Sequence, residues 1–233
     1  MTDTTLTAAQ AIDALRAASD PAKAVDMAAY HKVDRPYLGC PMPALNDLVR
    51  DWRSALTLAQ RIDLAAALWD TNIHEARVTA AKLLIQARMR PDDAAAWALI
   101  ETWVPQFDGW AVADHVASAG GRRIMADLSR LDTLETWTTS DHLWTKRAAL
   151  VMTLPLTKLN HLSAEQLVAR DRVLRWAADY VGDPQWFVQK AVAWWLRELS
   201  KHDADAVRGF LEAHGSGMKA FARKEAARLL PPA

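Results

Sequence analysis

Apolar side chains recur along the chain at the spacing i, i+3 or i+4, i+7, which places them on one face of an α-helix. Proline, glycine or a helix-starting Asp, Ser or Thr interrupts this spacing at short intervals. Runs of Val, Ile and Thr, which would favour strands, are few. The pattern therefore predicts an all-helical protein with helices at 6–18, 21–31, 42–54, 57–69, 74–88, 92–103, 109–119, 121–130, 142–155, 163–181, 184–201, 203–214 and 218–230.

Residues with strong capping preferences mark several of the predicted helix ends. Asp20 is a favoured N-cap residue, and Pro21 follows it at the first helical position. Ser163 and Gln166 have the spacing of a capping box. The Gly-Ser-Gly run at 215–217 indicates that one helix stops there and another starts.

The predicted helices follow one another closely and form pairs of roughly 35 to 45 residues. The segments RVTAAKLLIQA, KRAALVMTLPL and QKAVAWWLREL each carry a basic residue followed by small and aliphatic residues. This organisation is typical of a degenerate α-solenoid of HEAT-like repeats, about a dozen helices long, whose inner helices line a concave face. Because no linker interrupts the pattern, we expect a single domain over residues 1–233.

The charge of the chain is balanced overall but unevenly distributed. The formal net charge of the 233 residues is zero. Residues 1–116 carry 11 Lys and Arg against 15 Asp and Glu, whereas residues 117–233 carry 17 against 13. If the protein binds a polyanion, the second half is therefore expected to supply most of the affinity.

Cysteine content and targeting signals narrow the class of protein. The single cysteine, Cys40, excludes an internal disulfide and a cysteine-based zinc site. The start of the sequence, MTDTTLTAAQ, lacks the basic and apolar regions of a signal peptide, and no run of about 18 apolar residues is present. We expect a cytoplasmic protein without a metal or another cofactor.

The first candidate for chemistry is the pair Trp110 and Asp114 in FDGWAVADHVAS. Residues four apart lie on the same face of a helix, one turn from each other. An indole face attracts positive charge through its quadrupole, and a carboxylate does so by its charge. The pair therefore suits a cationic ligand or a developing carbocation, while the alternative is that Trp110 only packs in the core.

Two later segments repeat this combination of an aromatic ring and a charge. In DHLWTKRAALVM, Trp144 precedes Arg147 by three residues, and Ser140 or Asp141 is the expected N-cap. In WFVQKAVAWWLREL, a cation, an indole and a cation are spaced i, i+4, i+7, and the neighbouring Trp195 is turned about 100° away, towards the core. These three residues are Lys190, Trp194 and Arg197. Such a stripe fits a phosphate backbone, and the alternative is a solvated basic edge of a core helix.

Six segments in order resemble the DNA alkylation repair family of HEAT-like DNA glycosylases (AlkD-like). They are PAKAVDMAAYHK with YLGCP, LWDTNIHEARVTAAKLL, FDGWAVAD, LWTKRAALVMTL, WFVQKAVAWWLREL and FARKEAARLL. The resemblance covers nearly the whole chain. It implies an enzyme that removes positively charged alkylated purines, such as 3-alkyladenine and 7-alkylguanine, from double-stranded DNA by hydrolysing the N-glycosidic bond.

The resemblance also implies roles for individual residues. Asp114 occupies the place of the family's catalytic aspartate, with Trp110 packing against the sugar of the damaged nucleotide. Arg147 matches an arginine that supports the site, and Trp194 matches a second indole. The implied DNA-binding residues are Tyr30, Lys190, Arg197, Arg223 and Lys224. The family often has Trp-Trp-Asp where this chain has Gly-Trp-Ala at 109–111, so one aromatic ring and one acid beside the pair are absent.

The chemistry of such a reaction needs few groups. An N-alkylated purine is already cationic, so it leaves without general-acid help, and positive charge develops on the deoxyribose as in glycoside hydrolysis. One carboxylate stabilises that charge and orients water, and no lysine nucleophile is required. We expect a monofunctional, monomeric glycosylase that leaves an abasic site. Two alternatives are a non-catalytic HEAT-like module that binds DNA or a protein, and a structural solenoid in which Asp114 pairs with an arginine.

Overall fold

A computed structural model describes residues 6–231 of the chain. Within this range the protein contains 13 α-helices and four short 3-10 helices and no strand, which confirms the prediction of an all-helical protein. The α-helices are α1 (Ala8–Ala17), α2 (Pro21–His31), α3 (Met42–Ala55), α4 (Leu58–Asp70), α5 (His74–Leu83), α6 (Ala94–Trp103), α7 (Trp110–Ala126), α8 (Leu131–Thr138), α9 (Leu143–Val151), α10 (Ala164–Asp179), α11 (Trp186–Leu199), α12 (Ala204–His214) and α13 (Ala220–Ala227). The 3-10 helices are Val104–Gln106, Leu128–Arg130, Leu154–Lys158 and Gly215–Gly217.

The helices form two compact units, Met1–Arg123 and Ile124–Ala233, and the boundary between them falls within α7. The first unit contains α1 to α6 and most of α7, and the second contains α8 to α13. None of the helices in the described range combines the length and the apolar character that crossing a bilayer requires.

Side-chain caps begin several helices where the sequence predicts them. The Asp20 carboxylate accepts a hydrogen bond from the backbone N–H of Ala22, with Pro21 at the start of α2. Ser163 and Gln166 form the predicted capping box of α10. Thr57 caps α4 with the same reciprocal pair of bonds. Each such cap satisfies helix N–H groups that have no partner within the helix.

The sequence predicts that one helix ends at residue 119 and that the next begins at residue 121. This prediction is wrong. α7 continues through Gly120 and Gly121 to Ala126, and the next helix, α8, lies where the sequence suggests none. Both glycines are buried, so water does not compete for the backbone hydrogen bonds around them. The helix thus persists although each glycine costs about 1 kcal/mol relative to alanine.

The start and end of α9 also differ from the prediction. Neither Ser140 nor Asp141 is its N-cap: His142 holds that position and makes no side-chain capping bond. The helix ends at Val151, and a 3-10 helix that contains Pro155 follows. A proline has no N–H to donate and its ring clashes with the preceding turn, which explains the early end of the α-helix.

α5 lies at the centre of the first unit, and nine of its ten residues are buried. It packs against α3 and α4. The guanidinium of Arg77 lies over the ring of Trp69 at 4.5 Å from the ring centroid, and its Nε donates to the Trp69 carbonyl. Trp69 in turn stacks on Trp103 with 4.4 Å between ring centroids. A buried cation between helices is tolerated here because a ring face and a carbonyl replace water around it.

The buried carboxylate of Glu75 holds the loop that connects α2 to α3. Its oxygens accept hydrogen bonds from three successive backbone N–H groups, those of Leu38 at 2.9 Å, Gly39 at 2.7 Å and Cys40 at 3.3 Å. Gly39 has φ +80°, and a Cβ there would approach the Asp20 carbonyl oxygen to 2.1 Å. Only glycine fits this position, because the space and the backbone conformation both exclude a side chain.

α11 packs against α9 and α13 in the second unit, and eight of its 14 residues are buried. Trp195 is fully buried, as its position in the sequence predicts, and its Nε1–H donates to Thr153 Oγ1 at 3.1 Å. The buried amide of Gln189 lies within hydrogen-bonding distance of the carbonyls of Tyr180, Val181 and Asp183. These bonds fix the connection between α10 and α11 and satisfy carbonyls at the end of α10.

Removing the charge of Glu75 is expected to destabilise the fold. In Glu75→Gln, the amide NH2 would face N–H groups of the 38–40 loop, leaving buried donors without an acceptor at a cost of about 2–4 kcal/mol. Urea unfolding should show a lower midpoint with an unchanged m value. Glu212→Gln, at an exposed position of α12, is the matched control. Equal midpoints for the two variants would contradict the proposed role of the carboxylate.

Burial of His74 is expected to make stability depend on pH. Burial, with smaller contributions from His31, Arg35 and His115, lowers the pKa of His74 from 6.5 to about 3. The stabilisation is complete above pH 6.5 and is lost as the pH falls towards 3, because the unfolded chain then binds a proton that the folded chain does not.

The free energy of unfolding should therefore fall by about 1.4 kcal/mol per pH unit for this histidine as the pH drops below its ordinary pKa. His74→Phe keeps an aromatic ring but cannot titrate, so this part of the slope should disappear. The control is His161→Phe at an exposed position. The measurement is urea unfolding at a series of pH values above the range in which carboxylates titrate; an unchanged slope in His74→Phe would refute the assignment.

Candidate functional site

Trp110 and Asp114 lie in the first turns of α7. Both side chains are partly buried and partly exposed. Phe107 is buried just before the helix, and Gly109 packs so closely that a Cβ there would lie 2.8 Å from Cγ2 of Val33. These contacts fix the start of α7. The helix then places the indole and the carboxylate one turn apart, as the spacing predicts.

The end of α2 brings two rings to Trp110. Tyr30 approaches the indole edge-on, with 5.8 Å between centroids and an interplanar angle of 88°. The imidazole of His31 lies 5.3 Å from the indole. Tyr30 is 69% exposed, so its ring is available to a ligand as well as to Trp110. α2 ends at His31, and its C-cap residue Lys32, with a φ of 56°, turns the chain into the loop that Glu75 holds.

Behind Trp110, three rings from separate segments form a stack that the sequence analysis did not identify. His31 stacks on His74 with 4.5 Å between centroids, and His74 stacks on Tyr37 at 4.8 Å. Burial lowers the pKa of His31 as well as that of His74, so both imidazoles are neutral near pH 7. Their ring faces therefore support Trp110 without placing positive charge behind it. No local spacing joins these three positions, which explains why the sequence pattern did not reveal them.

A narrow cleft of about 10 Å³ lies between the loop after α2 and the start of α7, and Trp110 lies in its wall. Arg35, whose side chain is almost fully buried, makes an ion pair with Asp108 at one edge. Within the described residues, Nε and Nη1 of Arg35 and Nδ1 of His31 are buried without a hydrogen-bond partner. Asp114 lies one turn further along the helix and is not part of the cleft wall.

The immediate neighbour of Asp114 on the chain is also a neutral histidine. Burial, with a smaller contribution from the charge of Lys82, lowers the pKa of His115 to about 4. Among residues 6–231, no three His, Cys, Asp or Glu side chains are grouped as a metal ion would require.

In the second unit, Arg147 is buried on α9. Its guanidinium lies over the ring of Trp144, 5.7 Å from the centroid. Trp144 also contacts Phe187 of α11, with 4.8 Å between centroids. The predicted pairing of Trp144 and Arg147 on one face of a helix is therefore confirmed.

α11 presents Trp194 on its partly exposed face and Trp195 in the core. The two predicted cations beside Trp194 make other contacts. Lys190 Nζ lies 4.3 Å from the centroid of Trp186, one turn earlier. Arg197 is held by Glu225 of α13 and by Glu198. The spacing predicts that Lys190 and Arg197 flank Trp194 in one continuous stripe. Instead, Lys190 lies over Trp186, and Arg197 is paired with carboxylates.

The remaining predicted DNA contacts, Arg223 and Lys224, are exposed on α13. An aromatic group that the sequence analysis did not select lies nearby: Trp186 contacts Phe187 and Phe221, and Trp186 is 49% exposed. The predicted site residues are divided between the units. Tyr30, Trp110 and Asp114 belong to the first unit, and Arg147, Lys190, Trp194, Arg197, Arg223 and Lys224 belong to the second.

Solved structures share this fold. A predicted DNA alkylation repair enzyme from Enterococcus faecalis superposes with a TM-score of 0.76 at 21% identity, covering 92% of this chain and 98% of that one. AlkD2 from Streptococcus mutans superposes with a TM-score of 0.59 at 18% identity, covering 82% of this chain and 91% of that one. The smu.31 structure from Streptococcus mutans UA159 has the same score and identity and covers 82% and 93%.

No curated protein matches the sequence. The profile of the family described as DNA alkylation repair enzyme matches residues 11–230, through both compact units. Because this match extends over nearly the whole sequence, the chain belongs to the DNA alkylation repair enzyme family.

Proposed function

We propose that this protein is a DNA glycosylase that hydrolyses the N-glycosidic bond of positively charged alkylated purines in double-stranded DNA. Its substrates would include 3-alkyladenine and 7-alkylguanine, and its product an abasic site for base excision repair. The observation that carries the proposal is the pair Trp110 and Asp114, one turn apart and partly exposed on α7, in a chain of the DNA alkylation repair enzyme family.

The electrostatics of this pair suit a transition state with positive charge on the deoxyribose. A carboxylate within contact distance of the sugar stabilises that charge and orients the attacking water. An indole face adds a cation–π attraction of about 1–2 kcal/mol when water is excluded. The neutral His31, His74 and His115 add no opposing charge around the pair near pH 7.

The leaving group shapes the rest of the mechanism. A cationic purine departs as a neutral base, so the enzyme needs no general acid to protonate it. Water attacks the sugar in place of a lysine amine, which leaves the strand uncut and makes the enzyme monofunctional. No cofactor takes part, and the protein acts as a monomer.

We further propose that the second unit contributes to binding of the lesion and its strand. Arg147, rigidly placed over Trp144, would support the damaged nucleotide, and the partly exposed indole of Trp194 would provide a second ring face. The side chains proposed to contact the DNA surface are Tyr30, Lys190, Arg197, Arg223 and Lys224. Neither Gly109 nor Ala111 supplies a second acid beside Trp110, so the reaction would depend on Asp114. A site with one acid should favour lesions that already carry a full positive charge.

Asp114→Asn should abolish base release. The amide has nearly the same size but no charge, so an oxocarbenium-like ion loses its main stabilisation, and we expect a fall of at least about 100-fold in the single-turnover rate. The assay measures release of 7-methylguanine and 3-methyladenine from methylated duplex DNA. Asp63→Asn, exposed on α4, is the matched control and should retain the wild-type rate.

Binding separates this mechanism from the alternative of a non-catalytic module. Asp114→Asn should bind the same duplex with nearly wild-type affinity, because a carboxylate does not attract the phosphate backbone. Base release at the wild-type rate in Asp114→Asn would exclude the proposed mechanism. DNA binding by the wild-type protein without release of any alkylated base would instead favour the HEAT-like binding module.

Trp110 should act through its ring face. Trp110→Ala removes the cation–π attraction of about 1–2 kcal/mol and should lower the single-turnover rate by about 5- to 30-fold, since about 1.4 kcal/mol corresponds to a tenfold change. Trp110→Phe keeps a smaller ring and should retain an intermediate rate. Equal rates for the phenylalanine and alanine variants would show that Trp110 only fills space.

A further inference from the structure

The first unit contains an open groove of about 500 Å³ lined by α3, α4 and the end of α5, and it shares no lining residue with the cleft at Trp110. Four cationic side chains line it, and none of its lining residues is an acid. We call it the basic groove and define it by Asn46, Arg50, Arg53, Arg61, Lys82 and Gln86. This surface lies in the first half of the sequence, which carries a net negative charge. The net charge of each half therefore does not predict a basic surface here.

α3 supplies one wall of the basic groove. Asn46, Arg50 and Arg53 are spaced i, i+4, i+7, which places them on one face of the helix. Arg50 is partly neutralised by Asp47 and Asp51, at 2.7 Å and 3.4 Å, on its own helix. Arg53 has no such carboxylate partner within the described residues. α3 therefore contributes the full positive charge of Arg53 and the partly neutralised charge of Arg50.

α4 and α5 supply the floor and the opposite wall. Arg61 is 7% exposed, and its Nη1 donates to Gln86 Oε1 at 2.7 Å, while its Nε is buried without a hydrogen-bond partner among residues 6–231. Burial lowers the pKa of Arg61, and the charge of Arg53 lowers it further. Burial also lowers the pKa of Lys82. These cations lose hydration and repel one another without a compensating carboxylate, so a bound anion would relieve both costs.

The chemistry of the groove fits phosphate. Guanidinium groups bind phosphate oxygens through paired, charge-assisted hydrogen bonds, and an ammonium group adds a point charge. Asn46 provides an amide N–H donor beside them. DNA carries a row of such phosphates, so several cations in one open groove match a DNA backbone.

We infer that the basic groove binds backbone phosphates of the DNA strand next to the lesion, through Arg53, Arg61 and Lys82. This inference rests on the proposed function, which makes DNA the ligand. It assigns a principal DNA-binding surface to the first unit, in contrast to the expectation that the second half of the chain supplies most of the affinity. The groove also offers cations near the N-terminus of the fold, where the segment Cys40–Asn46 has no basic side chain.

Binding of undamaged duplex DNA, measured by fluorescence anisotropy over a series of salt concentrations, tests the inference without requiring any chemistry. Arg53→Gln and Lys82→Gln should each weaken binding about 3- to 10-fold at moderate salt and reduce the salt slope by about one, as expected when one phosphate contact is lost. Arg16→Gln, on α1 and paired with Asp13, is the matched control and should leave both quantities unchanged.

The inference is overturned if Arg53→Gln and Lys82→Gln bind duplex DNA with the wild-type affinity and salt slope. Circular dichroism melts of the variants establish that they are folded, and Arg53→Glu provides a second, stronger change at a partly exposed position. Pyrophosphate is the probe for a free anion. If it raises the Tm of the wild type but not of Arg53→Gln, while DNA binding is equal, the groove holds a small anion and the DNA assignment is wrong.

The two proposals fail in different ways. If wild-type protein releases no alkylated base but DNA binding depends on Arg53 and Lys82, the glycosylase proposal fails and the basic groove remains. If base release proceeds and depends on Asp114, while DNA affinity is the same with and without Arg53 and Lys82, the groove inference fails and the glycosylase proposal remains.

Discussion

The carboxylate of Glu75, buried at the start of α5 and bonded to three successive N–H groups of the 38–40 loop, organises the first unit. A buried carboxylate is costly unless donors replace its water, and the loop supplies those donors. In return the loop is fixed in a conformation that includes the left-handed Gly39. The same segment carries Tyr37, whose ring stacks on His74 and so supports the rings behind Trp110. The position of the Trp110 indole thus depends on Glu75, a buried acid that does not line the cleft at Trp110.

The candidate chemistry is divided between rigid elements. Trp110 and Asp114 are on one helix, so their separation is set by helix geometry and not by a flexible loop. Arg147 and Trp194 are likewise held on α9 and α11, where Trp144 and the buried Trp195 anchor their neighbours. Stabilisation of a developing charge depends on groups that are already in place before reaction, because reorganisation would consume the gain. A helical scaffold with buried anchors meets that requirement.

Much of the fold was predictable from the sequence, because helix periodicity and capping are local properties. The cap at Asp20, the capping box of Ser163 and the burial of Trp195 all follow from spacing within a few residues. The continuous α7 was not predictable in this way, since it depends on tertiary burial of Gly120 and Gly121.

The same distinction applies to the candidate site. Trp110 and Asp114 could be paired because four residues separate them, whereas the ring stack and the basic groove join segments that are distant in sequence. For the cations of α11, spacing predicted a shared face, but the partners Trp186 and Glu225 come from another turn and another helix.

Gly109 packs tightly against Val33, which restricts the side chains that position 109 can hold. An aromatic ring at 109 could be accepted only after residue 33 becomes smaller or its loop moves. A larger side chain at 109 therefore requires a second change at 33, so the two positions constrain each other.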